Sequence, residues 1–199
     1  MAASTLHLPS RLAPASPPTT SAVPRSGPFI PTMPDIEEAA RAQNLRLELR
    51  TLGPFFRVRG LSLDKAGAEL GRAEGVVRPW AGGWVLHLDS MRMSRATLGM
   101  ERSIFGLGLF VGAAAVRHGF DRGCRRAELL AINDTDLYHS KLVRFYRRMG
   151  FRAVREVDGS SAGDLPHLLV WGGRGTRMDA GVEELLAKWG GRFRPPPRS

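Results

Sequence analysis

The chain has 199 residues, 43% of them hydrophobic, which is enough for one domain with a buried core and a terminal tail. Its net charge of +10 favours polyanionic partners such as nucleic acid, a membrane surface or a phosphate-rich ligand, but arginine spread along the whole chain equally fits an ordinary solvated surface. The single cysteine, Cys124, excludes an intrachain disulfide framework and a zinc site built from several thiolates.

Residues 1–34 differ in composition from everything that follows them. They are rich in Ser, Thr, Ala and Pro, contain Arg11 and Arg25, and have no acidic residue before Asp35. The prolines oppose helices and central strands, and the segment is too polar to offset its chain entropy by burial. We therefore predict a disordered tail whose composition is typical of a chloroplast transit peptide. The alternative is an untargeted tail on a cytoplasmic protein.

The first folded region is predicted to be a helix followed by an antiparallel meander. Pro34-Asp35 suits the start of a helix, and Gly53-Pro54 would end it. Between these points apolar residues recur at helix-like spacing, at Ile36, Ala40, Leu45, Leu49 and Leu52. Turn signals then separate three apolar runs that we expect to pair as strands: Phe55–Leu63, Leu70–Val77 and Trp84–Met93.

An α/β pattern follows the meander. The run Ile104–Phe120 predicts a helix that is apolar on nearly all sides and therefore buried, and its apolar part is too short to span a bilayer of about 30 Å. Arg125–Ile132 is the next predicted strand. Residues 136–149 are expected to form a helix with one apolar face, closed by Gly150 as a C-terminal cap.

The remaining chain is predicted to hold two more strands and a last helix. The strands are Phe151–Val157 and His167–Trp171, and Gly172–Arg177 is expected to be a flexible loop. Asp179 would cap a helix over Asp179–Trp189, and the basic, proline-rich end is expected to be disordered. The predicted organisation is a tail (residues 1–34), a domain (residues 35–178) and a C-terminal helix with a tail from Gly190 to Ser199 (residues 179–199).

A glycine-bearing junction precedes the buried helix, with the sequence Arg102-Ser103-Ile104-Phe105-Gly106-Leu107-Gly108. Glycines let a ligand approach the backbone, and the free N–H groups of a helix start favour phosphate. The junction is therefore a candidate pyrophosphate site. The alternative is that these glycines serve only close packing of the helix.

Together with two later features, this junction resembles the acyl-CoA-binding part of the GNAT acyltransferase superfamily. Gly123 stands where the family has a glycine between elements, and Tyr146-Arg147-Arg148-Met149-Gly150-Phe151 resembles its closing Tyr-x-x-x-Gly-Phe motif. The resemblance covers residues 84–157. It implies an α/β fold with a mixed central sheet, helices on both faces and a splayed strand pair near the cofactor. It also implies an N-acyltransferase that uses acyl-CoA, most simply acetyl-CoA.

The resemblance implies a set of cofactor-binding residues. Met91 and Met93 would bind the acyl and pantetheine groups at a strand end. Asn133 or His139 would stand in for the family's pantetheine-binding Asn, because His139 occupies that position and Asn133 lies a few residues earlier. Arg102 precedes the family's Gln/Arg position by one residue. The pyrophosphate would be held by the backbone N–H groups of seven consecutive residues: Ser103, Ile104, Phe105, Gly106, Leu107, Gly108 and Leu109.

Catalytic roles follow from the same resemblance. Tyr146 would protonate the departing CoA thiolate, since a thiolate leaving group needs a proton donor near the sulfur. The alternative for Tyr146 is core packing. Asp89 and Glu101 are the candidate bases for the amine, with His87 and His139 as further candidates, and each could instead be a solvated or ion-paired group.

The acceptor amine is left open between a small molecule and a protein amino group. One rival hypothesis is a GNAT-like binding or regulatory module without activity that docks on an anionic partner. Another is a nucleic-acid-binding protein, for which the helix face of Lys141, Arg144, Arg147 and Arg148 would contact the backbone.

Overall fold

A computed structural model describes residues 27–65, 67–94, 104–133, 135–157 and 173–194 of the chain. The predicted strand His167–Trp171 and the candidate residues Glu101, Arg102 and Ser103 lie outside these ranges. The elements, in chain order, are α1 (Met33–Arg41), β1 (Leu45–Leu52), β2 (Phe55–Ser62), β3 (Glu69–Trp80), β4 (Gly83–Met93), α2 (Ile104–Asp121), β5 (Cys124–Ile132), α3 (Asp136–Met149), β6 (Arg152–Val157), β7 (Gly175–Gly181) and α4 (Val182–Gly190).

The strands form one seven-stranded sheet in the order β1-β2-β3-β4-β5-β7-β6. β1 to β4 are a continuous antiparallel meander, and β4 and β5 are paired in parallel through α2. β7 lies antiparallel between β5 and β6. The predicted α/β class with a mixed central sheet is confirmed.

The predicted helix up to Leu52 is wrong, because α1 ends at Arg41 and β1 follows. Asn44, with a φ of 54°, turns the chain between them. In β1, Leu45, Leu47 and Leu49 alternate with charged residues, and this period of two is typical of a strand, of which Leu45 is the buried residue. The two-residue turn formed by Gly53 and Pro54 then leads directly into β2.

The folded region begins before residue 35. Thr32 caps α1, Pro31 is buried, and the Pro31 carbonyl accepts a hydrogen bond of 3.0 Å from Arg117 of α2. At the other end of the chain, Phe193 is buried and packs edge-on against Phe110, with ring centroids 5.6 Å apart. The residues just after α4 therefore belong to the core, and the expectation of disorder directly after Gly190 is wrong for Phe193.

The C-terminal assignments also need correction. Residues Gly175–Gly181 form β7, so the expected loop ends before Gly175, and Asp179 lies within the strand. α4 starts at Val182 with Gly181 at its N-cap position. The reason is tertiary: β7 pairs with β5 on one side and β6 on the other, and these two ladders outweigh the local helix signal at Asp179.

The helices of the described ranges all pack on one face of the sheet, whereas helices on both faces were expected. Val111 of α2 lies against Gly60 of β2, and a Cβ added at Gly112 of α2 would lie 3.1 Å from Cε of Met149 in α3. α4 joins this layer through a 2.9 Å hydrogen bond from Trp189 Nε1 to the Met149 carbonyl. The crossovers through α2 and α3 advance in the same direction across the sheet, and right-handed crossovers then place both helices on one side.

The other face of the sheet, here called the open face, is polar. Arg57 contacts Glu74 on the neighbouring strand, and Arg59 contacts Glu69 at 2.7 Å and Glu48 at 3.4 Å. These ion pairs link β1, β2 and β3 across the sheet. No helix in the described ranges is long and apolar enough to cross a membrane.

Candidate functional site

The parallel strands β4 and β5 separate partway along their length. Their ladder runs from Trp84↔Cys124 to Leu88↔Leu129, and Asp89–Met93 has no ladder partner on β5. The register between β3 and β4 shifts at this point, so that Asp89 is the extra residue of a β-bulge. An opening therefore lies between β4 and β5, and the β4 backbone facing it offers N–H and C=O groups.

The start of α2 lies at the same end of the sheet as this opening, because α2 runs from the end of β4 back to the beginning of β5. In a helix that begins at Ile104, the first four N–H groups have no acceptor within the helix. A Cβ added at Gly106 would meet no atom within 4 Å, so a ligand can approach the backbone there.

This geometry narrows the predicted set of N–H donors. Gly108 and Leu109 lie in the second turn, where N–H groups bond to the preceding turn of the helix. Leu107 and Leu109 are buried in the core. For Phe105 the structure describes the helical backbone only.

α3 closes against α2 beside the opening. A Cβ added at Gly108 would lie 3.0 Å from Cζ of Phe145 and 4.0 Å from Sδ of Met91. Cε of Met91 is also 3.4 Å from the Cβ position of Gly112. The structure therefore brings together Met91, Gly108 and Phe145, and Gly108 permits the close approach of α3. Met93 lies farther along β4, against Gly71 of β3.

Tyr146 follows Phe145 on α3 and is 8% exposed. Its ring packs edge-on against Phe145 and Phe151, with centroid distances of 5.3 and 6.0 Å. Burial, with a smaller contribution from Tyr138, raises the pKa of Tyr146 to about 12. Its hydroxyl is therefore protonated at neutral pH and can act as a proton donor.

The two candidates for the pantetheine-binding position lie in different places. Asn133 directly follows β5 at the end where the opening lies, and its side chain is exposed. His139 faces away from the opening, because its Nε2 donates to Thr176 Oγ1 at 2.8 Å while that hydroxyl donates to Glu156 at 2.7 Å. Asn133 therefore lies beside the opening, whereas the His139 side chain is held against β7.

Asp89 lines a cleft on the open face, here called the open-face cleft, with a volume of about 710 Å³. The buried His87 lies on β4 beside Val76 of β3, and the β1–β2 turn forms the outer end of the cleft. Its lining residues are Arg50, Thr51, Leu52, Phe55, Phe56, Arg57, Glu74, Gly75, Val76, Arg78, His87 and Asp89.

A buried glutamate supports the inner end of this cleft. Glu128 of β5 is 1% exposed and accepts hydrogen bonds from Arg78, from Arg177 at 3.2 Å and from His87 Nδ1 at 3.3 Å. Burial opposes its ionisation, but the His87 hydrogen bond and the charges of Arg78 and Arg177 outweigh burial and hold the pKa of Glu128 at about 2. Glu128 is therefore a fixed negative charge beneath the cleft.

Glu128 was missed by sequence reasoning, which took residues 125–132 only as a core strand. The available signal was a single acidic residue inside the apolar run Ala127–Ile132. Since a carboxylate is almost never fully buried without partners, that signal predicts a paired charge. Its partners, Arg78 and Arg177, lie 50 and 49 residues away in sequence and could not be identified without the sheet order.

The comparisons with known proteins concern solved structures. No protein-family model and no curated protein sequence matches the chain. A GNAT-family protein from Desulfovibrio desulfuricans superposes with a TM-score of 0.48 at 18% identity, covering 65% of this chain and 70% of that one. Nourseothricin acetyltransferase gives 0.46 at 16% identity, with coverage of 70% and 85%. A GNAT-family acetyltransferase from Staphylococcus aureus Mu50 gives 0.46 at 12% identity, with coverage of 64% and 68%. The chain is thus similar to acetyltransferases of the GNAT family.

Proposed function

We propose that the protein is an acyl-CoA-dependent N-acyltransferase that transfers an acetyl group from acetyl-CoA to an amine by direct attack. The observation that carries this proposal is the opening between β4 and β5, with the glycine-bearing start of α2 beside it. Helix N–H donors suit a pyrophosphate, and unpaired strand backbone suits the amide groups of pantetheine.

The cofactor would lie between the start of α2, the free edge of β4 and α3. The start of α2 would hold the pyrophosphate, and the backbone from Asp89 to Met93 would bind the pantetheine amides. Asn133 would bind pantetheine from the β5 side. A separate cavity of about 520 Å³ lies on the α1 side of Gly106, where two acids, Asp35 and Glu38, are balanced by two arginines, Arg192 and Arg194.

The reaction would take place at the opening. The ammonium group of the acceptor gives a proton to Asp89, and the free amine attacks the thioester carbon. A C–N bond forms, the C–S bond breaks, and the nitrogen loses its second proton to solvent as the amide forms. Tyr146 protonates the departing thiolate and regains its proton from solvent. Burial keeps this hydroxyl protonated but also makes it a weaker acid, with a pKa of about 12, so the role requires direct contact between the hydroxyl and the sulfur.

The experiment that tests this function is release of CoA thiol from acetyl-CoA by the full chain, with and without a panel of amines. We expect release that depends on the amine. Thermal melting tests binding separately: acetyl-CoA at 100 times its Kd should raise the melting temperature by about 5 °C or more. No shift at millimolar acetyl-CoA, together with no thiol release, would reject the proposal.

The rival is a catalytically inactive module that docks on an anionic partner. It is favoured by the exposed guanidinium groups of Arg144 and Arg147 on α3, which have no ion pair within the described ranges. It predicts retention on an RNA or DNA column that falls steeply with salt. If the protein elutes at low salt and its retention hardly depends on ionic strength, this rival hypothesis is rejected.

We also propose that residues 1–34 include a plastid transit peptide, on the strength of their acid-free, hydroxyl-rich and basic composition. N-terminal sequencing of the protein purified from its own cells tests this proposal. A mature chain that begins at Met1 or Ala2 would contradict it.

A further inference from the structure

We infer that the open-face cleft binds a monoamine with an apolar or aromatic body, such as an arylalkylamine, and disfavours polycationic amines. This inference deepens the proposed function, on which it rests for the chemical step. The cleft has an outer end at the β1–β2 turn and an inner end at Asp89 of β4, and arginine side chains line it beside both ends. Each of these features restricts the acceptor.

The outer end of the cleft is apolar and exposed. Leu52 and Phe55 are paired across the β1–β2 turn, and their side chains are 80% and 60% exposed. Val76 lies opposite Phe55 on β3 and completes the apolar surface. Exposed aromatic and aliphatic side chains that line a cleft together favour an apolar ligand, because covering them removes apolar surface from water.

The inner end of the cleft is acidic. Asp89 is exposed at the bulge of β4 and has no ion pair among the described residues. Glu74 faces the same space, but its carboxylate is paired with Arg57 and accepts a hydrogen bond of 3.2 Å from Ser90 Oγ, so Asp89 carries the uncompensated negative charge at this end. An ammonium group is the ligand group that suits this end.

The spacing between the two ends sets the length of the ligand. Along β3, Val76 and Glu74 are two residues apart, which corresponds to about 7 Å. An amine at the acidic end would therefore reach Phe55 with a ring when the nitrogen and the far edge of that ring are about 7 Å apart. This is the geometry of a phenyl ring on a two-carbon amine.

The wall of the cleft argues against polycations. Arg50, Arg57 and Arg78 line it; Arg57 is paired with Glu74 and Arg78 with Glu128. Arg50 is 74% exposed and its contact with Glu48 is as long as 3.9 Å, so its charge is poorly compensated. A second or third ammonium group on the ligand would meet these guanidinium groups.

The test uses acetyl transfer by the full chain to three probes at equal concentration: 2-phenylethylamine, ethylamine and spermidine. We expect kcat/KM for 2-phenylethylamine to exceed that for ethylamine roughly 10-fold, because the ring covers apolar surface. The kcat/KM for spermidine should be lower than that for 2-phenylethylamine. In Phe55→Ala the ratio of 2-phenylethylamine to ethylamine should fall towards about 1.

The control variant is Leu63→Ala, because Leu63 is 49% exposed and lies in the turn just after β2, outside the cleft. It should keep the ratio of the unaltered chain. A preference for spermidine, or an unchanged ratio in Phe55→Ala, would overturn the inference while leaving the proposed function intact.

A binding measurement keeps the inference testable if no amine is acetylated, which would count against the proposed function. Saturation-transfer NMR then follows 2-phenylethylamine on the full chain and on both variants. Binding that Phe55→Ala weakens and Leu63→Ala preserves supports the cleft assignment. Absent binding, or equal binding in both variants, overturns it.

Discussion

At the scale of single residues, Tyr146 carries the proposed chemistry. Replacing Tyr146 by Phe removes only the hydroxyl, so the ring contacts with Phe145 and Phe151 remain. We expect kcat for acetyl transfer to fall about 100-fold, with KM for acetyl-CoA nearly unchanged. Steady-state kinetics with a good acceptor measures both constants.

The matched control is Tyr138→Phe, on the same helix but 56% exposed. Equal rates for the unaltered chain and Tyr146→Phe would assign Tyr146 to packing alone.

Glu128 governs a predicted pH dependence of stability. Its pKa of about 2 in the folded protein lies below the ordinary value of 4.5. The stabilisation is therefore fully present above about pH 4.5 and is lost as the pH falls towards 2, amounting to about 3 kcal/mol in the free energy of unfolding. Chemical denaturation between pH 2 and 6 measures the free energy of unfolding of the unaltered chain and of Glu128→Gln. The difference between these two free energies should show the loss as the pH falls.

Glu183→Gln is the control for this measurement, because Glu183 is an exposed acid at the start of α4. A difference curve for Glu128→Gln as flat as that for Glu183→Gln would contradict the assigned ion-pair cluster.

At the scale of elements, the threonine N-caps of α1 and α3 can be compared directly. Thr32 caps α1 through a capping box, in which Asp35 N donates to Thr32 Oγ1 and Thr32 N donates to Asp35 Oδ2. Thr135 caps α3 without a side-chain hydrogen bond. We expect Thr32→Ala to lower the free energy of unfolding by about 1 kcal/mol and Thr135→Ala to change it little. Urea denaturation measures both, and equal losses would contradict the difference in capping.

Gly108 sets the approach of α3 to α2. In Gly108→Ala the new methyl group would lie 3.0 Å from Phe145 Cζ, so the benefit of alanine in a helix is opposed by displacement of the ring. Gly106→Ala meets no such neighbour. We expect Gly108→Ala to be less stable than Gly106→Ala by about 1 kcal/mol in urea denaturation. If Gly108→Ala were more stable than Gly106→Ala, the Phe145 ring would have to move aside at little cost.

The elements also show what a sequence can and cannot predict. α2 and α3 were predicted with bounds close to those observed, because each carries its own periodic apolar pattern. Gly150 was predicted to close α3 and does so with a φ of 123°. β1 and β7 were missed. β7 depends on partners contributed by β5 and β6, which no local window contains.

At the scale of the whole molecule, the sheet divides the chemistry between its two faces. The helix-covered face holds the start of α2, Met91 and Tyr146, and the open face holds Asp89, His87 and Glu128. The strand order that creates the opening between them arises from β4–α2–β5 pairing and could be expected only from the family resemblance. The charge cluster at Glu128 could not be expected from the sequence or from the resemblance, because the partners of Glu128 come from three other strands.

The most direct measurement is a structure of the protein with bound acetyl-CoA. We expect the pyrophosphate at the start of α2, the pantetheine along Asp89–Met93, and the thioester sulfur within hydrogen-bond reach of the Tyr146 hydroxyl, with the acetyl group directed towards Asp89. Acetyl-CoA bound elsewhere, such as between α1 and α2, or failure to bind at saturating concentration, would contradict the proposed function.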